Sequence, residues 1–223
     1  MSVAAITVRG EELWLHPDRA VIWPRLAAVI VADTHFGKSS VFNRHGLAVP
    51  AGTDELDRTR LTRLLATSGS RRLIVLGDFL HEPIDAASAD AKDLEHWSRS
   101  LVGIRIQVIA GNHDRGFARG WRGSIDWIDS AHFVPPFCFV HDSAKGACTG
   151  TDAFLMSGHI HPVIKLRGLR KRAARAAVFW LRPEGLVLPS FGLFTGGQLI
   201  CPSQGEQVFV VSPDNVVPFP VCA

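Results

Sequence analysis

The 223-residue sequence predicts an α/β protein built from two packed sheets flanked by helices. Three observations predict it. The first half alternates short, continuous apolar runs with stretches of helical spacing. Each of those runs ends on a polar residue. The second half breaks into short apolar segments between Gly and Pro turns.

The elements follow in order. Residues 26–32 are one apolar run that stops at Asp33. Residues 53–68 carry Leu61, Leu64 and Leu65 at helical spacing, behind an Asp54 suited to capping. Residues 73–76 read as a buried strand ending at Gly77-Asp78, residues 85–101 as a helix, and residues 104–110 as a third strand ending at Gly111-Asn112-His113. Three βα units therefore each place a polar group just past a strand's C-terminal end, where open α/β sheets gather their sites. Residues 137–140, 154–157, 174–181, 186–188 and 208–211 read as strands of a second sheet, which would bring in His141, His159 and His161.

Composition sets bounds. The length fits a single domain spanning 1–223, and 47% apolar content suffices for a large core. Lys plus Arg number 24 against 21 Asp plus Glu, a balance that permits a nucleic-acid partner without requiring one. The four Cys form no Cys-x-x-Cys pair, so reduced, mostly buried thiols are expected. The first ten residues lack a secretory pattern, and no apolar run approaches the ~20 residues of a membrane span. A soluble, cytoplasmic protein without a membrane partner is expected.

The chemistry lies in five segments: Asp33-Thr34-His35, Gly77-Asp78, Gly111-Asn112-His113-Asp114, His141, and Gly158-His159-Ile160-His161. Singly each is weak, since Asp-x-His pairs and Gly-Asp turns are common on surfaces. Together they offer carboxylate, amide and imidazole donors in one order, a set that suits Mn, Fe or Zn. No thiolate takes part, which argues against structural zinc. Paired divalent metals of this kind drive phosphate-ester hydrolysis.

This pattern resembles the calcineurin-like metallophosphoesterase superfamily. The resemblance implies a four-layer α/β/β/α sandwich of two mixed sheets flanked by helices. It implies one metal on Asp33, His35, Asp78 and His161, a second on Asp78, Asn112, His141 and His159, and Asp78 as the bridge. It leaves His113 unligated and facing substrate, held by Asp114, to assist the leaving group while a hydroxide shared by the metals attacks phosphorus in line. Two positions depart from the commonest pattern. Gly77-Asp78 is followed by Phe-Leu-His81, and His141 is followed by Asp142 where Gly is frequent. His81 is open to a substrate role or a structural one.

The segments around Trp23-Pro24, Phe36-Gly37-Lys38, residues 49–52 and residues 188–197 extend the likeness. Over its full length the chain is similar to the bacterial DNA ligase-associated metallophosphoesterases. That implies a Mn-preferring phosphodiesterase or endonuclease acting on single-stranded or damaged DNA in repair. Its implied partners are an ATP-dependent DNA ligase, a helicase and an exonuclease. Independently, Lys165, Arg167, Arg170, Lys171, Arg172 and Arg175 make a basic stretch after His161 that suits a DNA backbone, or a solvated hairpin. Lys38 and Arg44 are further phosphate candidates. Trp121 and Trp127 suit core packing better than base stacking. A small-molecule or nucleotide phosphatase with the same centre is the competing enzyme. A scaffold that has lost its metals would show gaps in the ligand set, and none is visible.

Overall fold

Two mixed sheets lie face to face in a computed structural model that describes residues 2–46, 52–85, 88–114, 123–145, 152–167 and 173–221. The first sheet runs β1 (Ala4–Val8), β2 (Glu11–His16), β3 (Ala20–Trp23), β4 (Ala28–Val31), β5 (Arg72–Leu76), β6 (Arg105–Ile109), β7 (Ile125–Ile128), in that spatial order. Strands β1 to β4 form an antiparallel meander, and β4 to β7 are parallel. Parallel neighbours need crossovers. These are α1 (Lys38–Arg44) and α2 (Thr53–Ser68) before β5, and α3 (Ala89–Ser100) before β6.

The second sheet holds β8 (Ala131–Val134), β9 (Phe137–Val140), β10 (Phe154–Ser157), β11 (Pro162–Arg167), β12 (Ala173–Arg182), β13 (Gly185–Val187), β14 (Gln198–Leu199), β15 (Gln207–Val211) and β16 (Val216–Phe219). Its main order is β14-β11-β12-β13-β10-β9-β8, with β15 joined to β12 and β16. Strands β9, β10 and β13 are parallel, while β11 and β12 form an antiparallel hairpin.

Alternation along the strands builds the core. In β4, Ala28 and Ile30 face the second sheet's Phe137, Phe139, Met156 and Phe179, while Val29 and Val31 face the helices. Leu61, Leu64 and Leu65 of α2 and Leu94 and Trp97 of α3 pack on that outer face. Each fully buried Leu contributes about 1.5–3 kcal/mol. The far face of the second sheet carries a smaller cluster of Ile164, Val178, Ile200, Val208 and Val210. No α-helix follows α3 among the described residues. No helix is long and apolar enough to cross a membrane.

Several boundaries moved for identifiable reasons. Pro24 opens a short 3-10 turn to Leu26, and Ala27 turns left-handed, so β4 starts at Ala28. Ser88 caps α3, its Oγ accepting from Ala91 N at 3.2 Å, which starts that helix later than position 85. Asp54 does not cap α2: Gly52 does so without a side chain, and Asp54 accepts from Ser39 Oγ instead. The expected set of reduced thiols is corrected too. Cys138 is disulfide-bonded, while Cys201 is a free, exposed thiol.

Candidate metal centre

Every expected ligand sits on a loop that follows or precedes a strand at one end of the sandwich. Asp33 and His35 follow β4, Asp78 follows β5, Asn112 follows β6, His141 follows β9, and His159 and His161 span the turn from β10 to β11. Five of these residues hold left-handed backbones: Asp33 (φ 53°), His35 (49°), Asp78 (44°), His159 (72°) and His161 (47°). Asp and His tolerate that region better than most side chains. Each such residue still costs about 1–3 kcal/mol and persists only where its surroundings over-determine it. Here the surroundings are backbone bonds between the loops. Asp33 N donates to Gly77 O at 3.1 Å, His35 N to Asp78 O at 2.9 Å, and Phe36 N to Phe79 O at 2.9 Å.

Two glycines make room for the ligands. A methyl group at Gly77 would overlap the His141 ring, and one at Gly111 would overlap the Asp78 carboxylate. Gly77 also needs its positive φ of 79°.

The ligands fall into two groups. The donor atoms of Asp33, His35 and His161 lie within 4.8 Å of one another, as do those of Asp78, His141 and His159. In the first group His161 Nε2 is 3.4 Å from both His35 Nε2 and Asp33 Oδ2. In the second, His141 Nε2 is 3.0 Å from Asn112 Oδ1, 3.0 Å from His159 Nδ1 and 3.5 Å from Asp78 Oδ1. The groups touch where His141 Nδ1 is 3.6 Å from Asp33 Oδ1.

Backbone carbonyls settle the tautomers. His141 Nδ1 lies 3.1 Å from Leu76 O, and His161 Nδ1 lies 3.1 Å from Gly196 O. A carbonyl only accepts, so each Nδ1 carries a proton, and in the neutral ring it is Nε2 that presents a lone pair to the centre. His159 turns the other way, its Nε2 facing Asp142 Oδ2 at 3.8 Å. The departure at Asp142 thus puts a carboxylate beside the ring of an expected ligand.

Electrostatics favours a cation. Burial first, then His161, Lys38, His81 and His113, push the His35 imidazole down to about 2, so it stays neutral. Asp33 is fully buried, which pushes its carboxyl up, while His161 and His141 pull it down. Asp33 Oδ1 and His35 Nδ1 have no hydrogen-bond partner among the described residues. Oxygens of Asp and Asn and ring nitrogens of His, the neutral His35 among them, converge at these points. Oxygen and imidazole donors of this kind suit two divalent cations.

His113 stands beside this centre. Its N–H donates to Asp78 Oδ1 at 3.2 Å, and its Nε2 lies 3.9 Å from Asp78 Oδ2 with the side chain 38% exposed. Asp114 has a different task from the expected support of the His113 ring. It is fully buried, and its two oxygens accept from Phe79 N (3.1 Å), Leu80 N (2.9 Å) and Gly111 N (3.0 Å). It clamps the loop after β5 to the loop after β6. Burial pushes its carboxyl up to about 6 against those three donors.

The expected substrate residues divide. Lys38 opens α1 and lies close enough to His35 and His81 to depress both imidazoles. His81 stacks on His113 with centroids 5.7 Å apart. Arg44 is tied to Glu82. Arg170, Lys171, Arg172 and Trp121 lie outside the described residues. Trp127 is partly buried and packs against the core, edge-on to Phe79 at 5.8 Å.

A buried charge cluster escaped the sequence reading. Arg19 donates to Ser190 O (3.2 Å) and Gly192 O (3.4 Å), Arg60 donates to Phe191 O, and Asp57 accepts from Leu193 N at 3.2 Å. Arg60 also pairs with Asp57 at 3.2 Å and Asp18 at 3.6 Å. The loop held this way supports the centre, since Ser190 Oγ donates to Asp33 O at 2.8 Å and Phe191 N to Ala32 O at 2.7 Å. The only sequence signal is the Asp57/Arg60 spacing on α2.

Among solved structures the chain is similar to the nuclease MPE of Pseudomonas putida, at 34% identity and TM-score 0.82, over 98% of this chain and 100% of that one. It also matches an Escherichia coli phosphoesterase, Yfce, at 17% identity and TM-score 0.44 over 83% and 87%, and an Aquifex aeolicus protein of unknown function at 20% identity and TM-score 0.40 over 60% and 78%. No protein-family model matches, and no curated protein does. With the P. putida likeness running end to end over the two mixed sheets, this chain belongs to the DNA ligase-associated metallophosphoesterases of the calcineurin-like superfamily. It is a metal-dependent phosphoesterase.

Proposed function

We propose that this protein is a binuclear phosphodiesterase that cuts DNA, a Mn-dependent endonuclease of bacterial DNA repair. On this reading residues 1–223 form one cytoplasmic domain that works beside an ATP-dependent DNA ligase, a helicase and an exonuclease. The observation that carries the catalytic part is the convergence of imidazoles and carboxylates from both sheets on two adjoining points. The DNA substrate is supported by the likeness to the P. putida nuclease. A cleft of about 190 Å³ that joins His161 to Arg175 supports it as well.

Asp33, His35 and His161 would hold one cation, and Asp78, Asn112, His141 and His159 the other, with Asp78 shared. Bound there, two divalent cations supply Lewis acidity and an acidified water. The protein's own groups do the rest. Leu76 O and Gly196 O keep His141 and His161 in the ligating tautomer. Asp114 holds the Asp78 and Asn112 loops in register. His113, partly exposed and outside both groups, would give a proton to the leaving oxygen.

The test is circular single-stranded DNA with metal-stripped protein plus Mn²⁺, beside Asp78→Asn. Linearisation by the wild type alone is expected, since a circle offers no end to an exonuclease. An intact circle, with a small phosphodiester still hydrolysed, would transfer the assignment to a small-molecule or nucleotide phosphoesterase. His113→Ala should retain metal and lose ~10²–10⁴ in kcat; full activity would remove its assigned role.

A further inference from the structure

The loop fixed by the buried charge cluster ends in two apolar side chains that the protein leaves in water. Leu193 is 51% exposed and Phe194 is 47% exposed. Loose surface loops carry such residues at little cost, but this loop is not loose. Asp57 accepts from the N–H of Leu193 itself, and Arg19 and Arg60 hold the carbonyls of Ser190, Phe191 and Gly192. The Arg60 guanidinium also lies 4.0 Å over the Phe191 ring. Buried ions anchor a segment whose tip gains nothing from burial.

Phe194 continues a row of rings that leads into the metal centre. Its centroid is 6.4 Å from Phe42, Phe42 is 5.6 Å from His81, and His81 stacks on His113 at 5.7 Å. The Lys38 ammonium sits 5.5 Å from the Phe42 centroid and is near enough to His35 to act on its imidazole. Lys38, Phe194, His35 and Thr195 all line one narrow cleft. The row thus offers aromatic faces, one cation, and an end at the residue placed to protonate a leaving group.

We propose that the exposed Phe194 ring is a stacking platform for the nucleobase flanking the scissile phosphate, with Phe42 edge-on behind it and Lys38 against the adjoining phosphate. The proposal rests on the DNA phosphodiesterase reading and deepens it. Every base has a π-face, so such a platform grips DNA without reading its sequence. It also requires a base free of its own stack. The rigid anchoring fits a binding surface, because a platform fixed in advance loses less freedom when the base arrives.

The experiment compares a thymidine homopolymer with an equally long strand of abasic tetrahydrofuran nucleotides, which keeps the phosphates and lacks the bases. Binding to the metal-free protein is read by anisotropy, and kcat/KM is read with Mn²⁺. The wild type should favour the thymidine strand by about tenfold in both, the order expected from one stacked base. Phe194→Ala should collapse that preference toward one, with the change in KM rather than kcat, and Phe194→Trp should restore it. An undiminished preference in Phe194→Ala overturns the platform, as does an equal loss on both strands, which would make the residue merely structural. Cleavage of neither strand by the wild type defeats the DNA reading itself and the platform with it.

Discussion

At the scale of single residues, the centre depends on positions that are not ligands. Gly77 takes φ 79° with its α-carbon against the His141 ring. Gly77→Ala must both strain the backbone and move that ring. We expect it to cost about 1–3 kcal/mol, as overpacked sites do, and to weaken Mn²⁺ binding through displaced His141. Urea unfolding and calorimetric titration would measure both, and a wild-type affinity would show that His141 can shift harmlessly. Asp114 is the second such position. An amide presents one acceptor oxygen where the carboxylate presents two, and three backbone N–H groups need them. Asp114→Asn leaves a buried donor unpaired, at about 1–3 kcal/mol. Metal affinity should fall as well, although Asp114 touches no metal, because the loops of Asp78 and Asn112 lose their clamp. Unchanged affinity would mean that the remaining loop contacts hold those ligands unaided.

At the scale of elements, the hairpin of β11 and β12 carries the electrostatic prediction. Its register sets Lys165 directly opposite Arg175. Like charges across a strand pair oppose folding by a few tenths of a kcal/mol up to about 1. Their reward must come from elsewhere, and the cleft joining Arg175 to His161 points to a polyanion. Arg175→Ala should therefore leave the melting temperature unchanged or raise it. It should weaken DNA binding and reduce the salt slope by about one. A lower melting temperature with an unaltered salt slope would assign Arg175 to the fold alone. This hairpin also shows where the sequence was readable. Strands β4, β5 and β6 were legible because strands buried on both faces are continuous apolar runs, and α2 because its leucines repeat at helical spacing. Strand β11 opens with Pro162 and ends in Lys165, Leu166 and Arg167, so it reads as a basic stretch. Strands β1 and β2 alternate over only five or six residues, β3 is a buried apolar run of just four, and α1 buries only Val41. The candidate ligands were legible because their types and order are a chemical specification. The Arg19–Asp57–Arg60 anchor was not, because its bonds to the loop near Phe191 span 131 to 173 residues.

At the scale of the whole molecule, the centre is a joint between the sheets. Asp33, His35, Asp78 and Asn112 come from loops of the first sheet, and His141, His159 and His161 from loops of the second. The hydrophobic contact between the sheets holds without metal, through Trp23, Phe137, Phe139 and Phe179. Cations add a second tie at one end, and they bind only the folded chain, since no unfolded segment gathers seven donors from positions 33 to 161. Linkage then fixes the size of the effect. At a hundred times its dissociation constant, a ligand specific for the folded state stabilises by about 2.7 kcal/mol. For a chain of this length each kcal/mol raises the melting temperature by about 2–4 °C. Mn²⁺ should therefore raise the transition of the chelator-treated protein by about 5–11 °C, and EDTA should reverse it. Asp78→Asn should lose most of the shift, because it weakens the proposed bridge. If each sheet held its own metal independently, calorimetry would show two transitions, only one of them moved by Asp78→Asn. A single transition that moves as a unit is expected, because the ligands of each cation belong to both sheets.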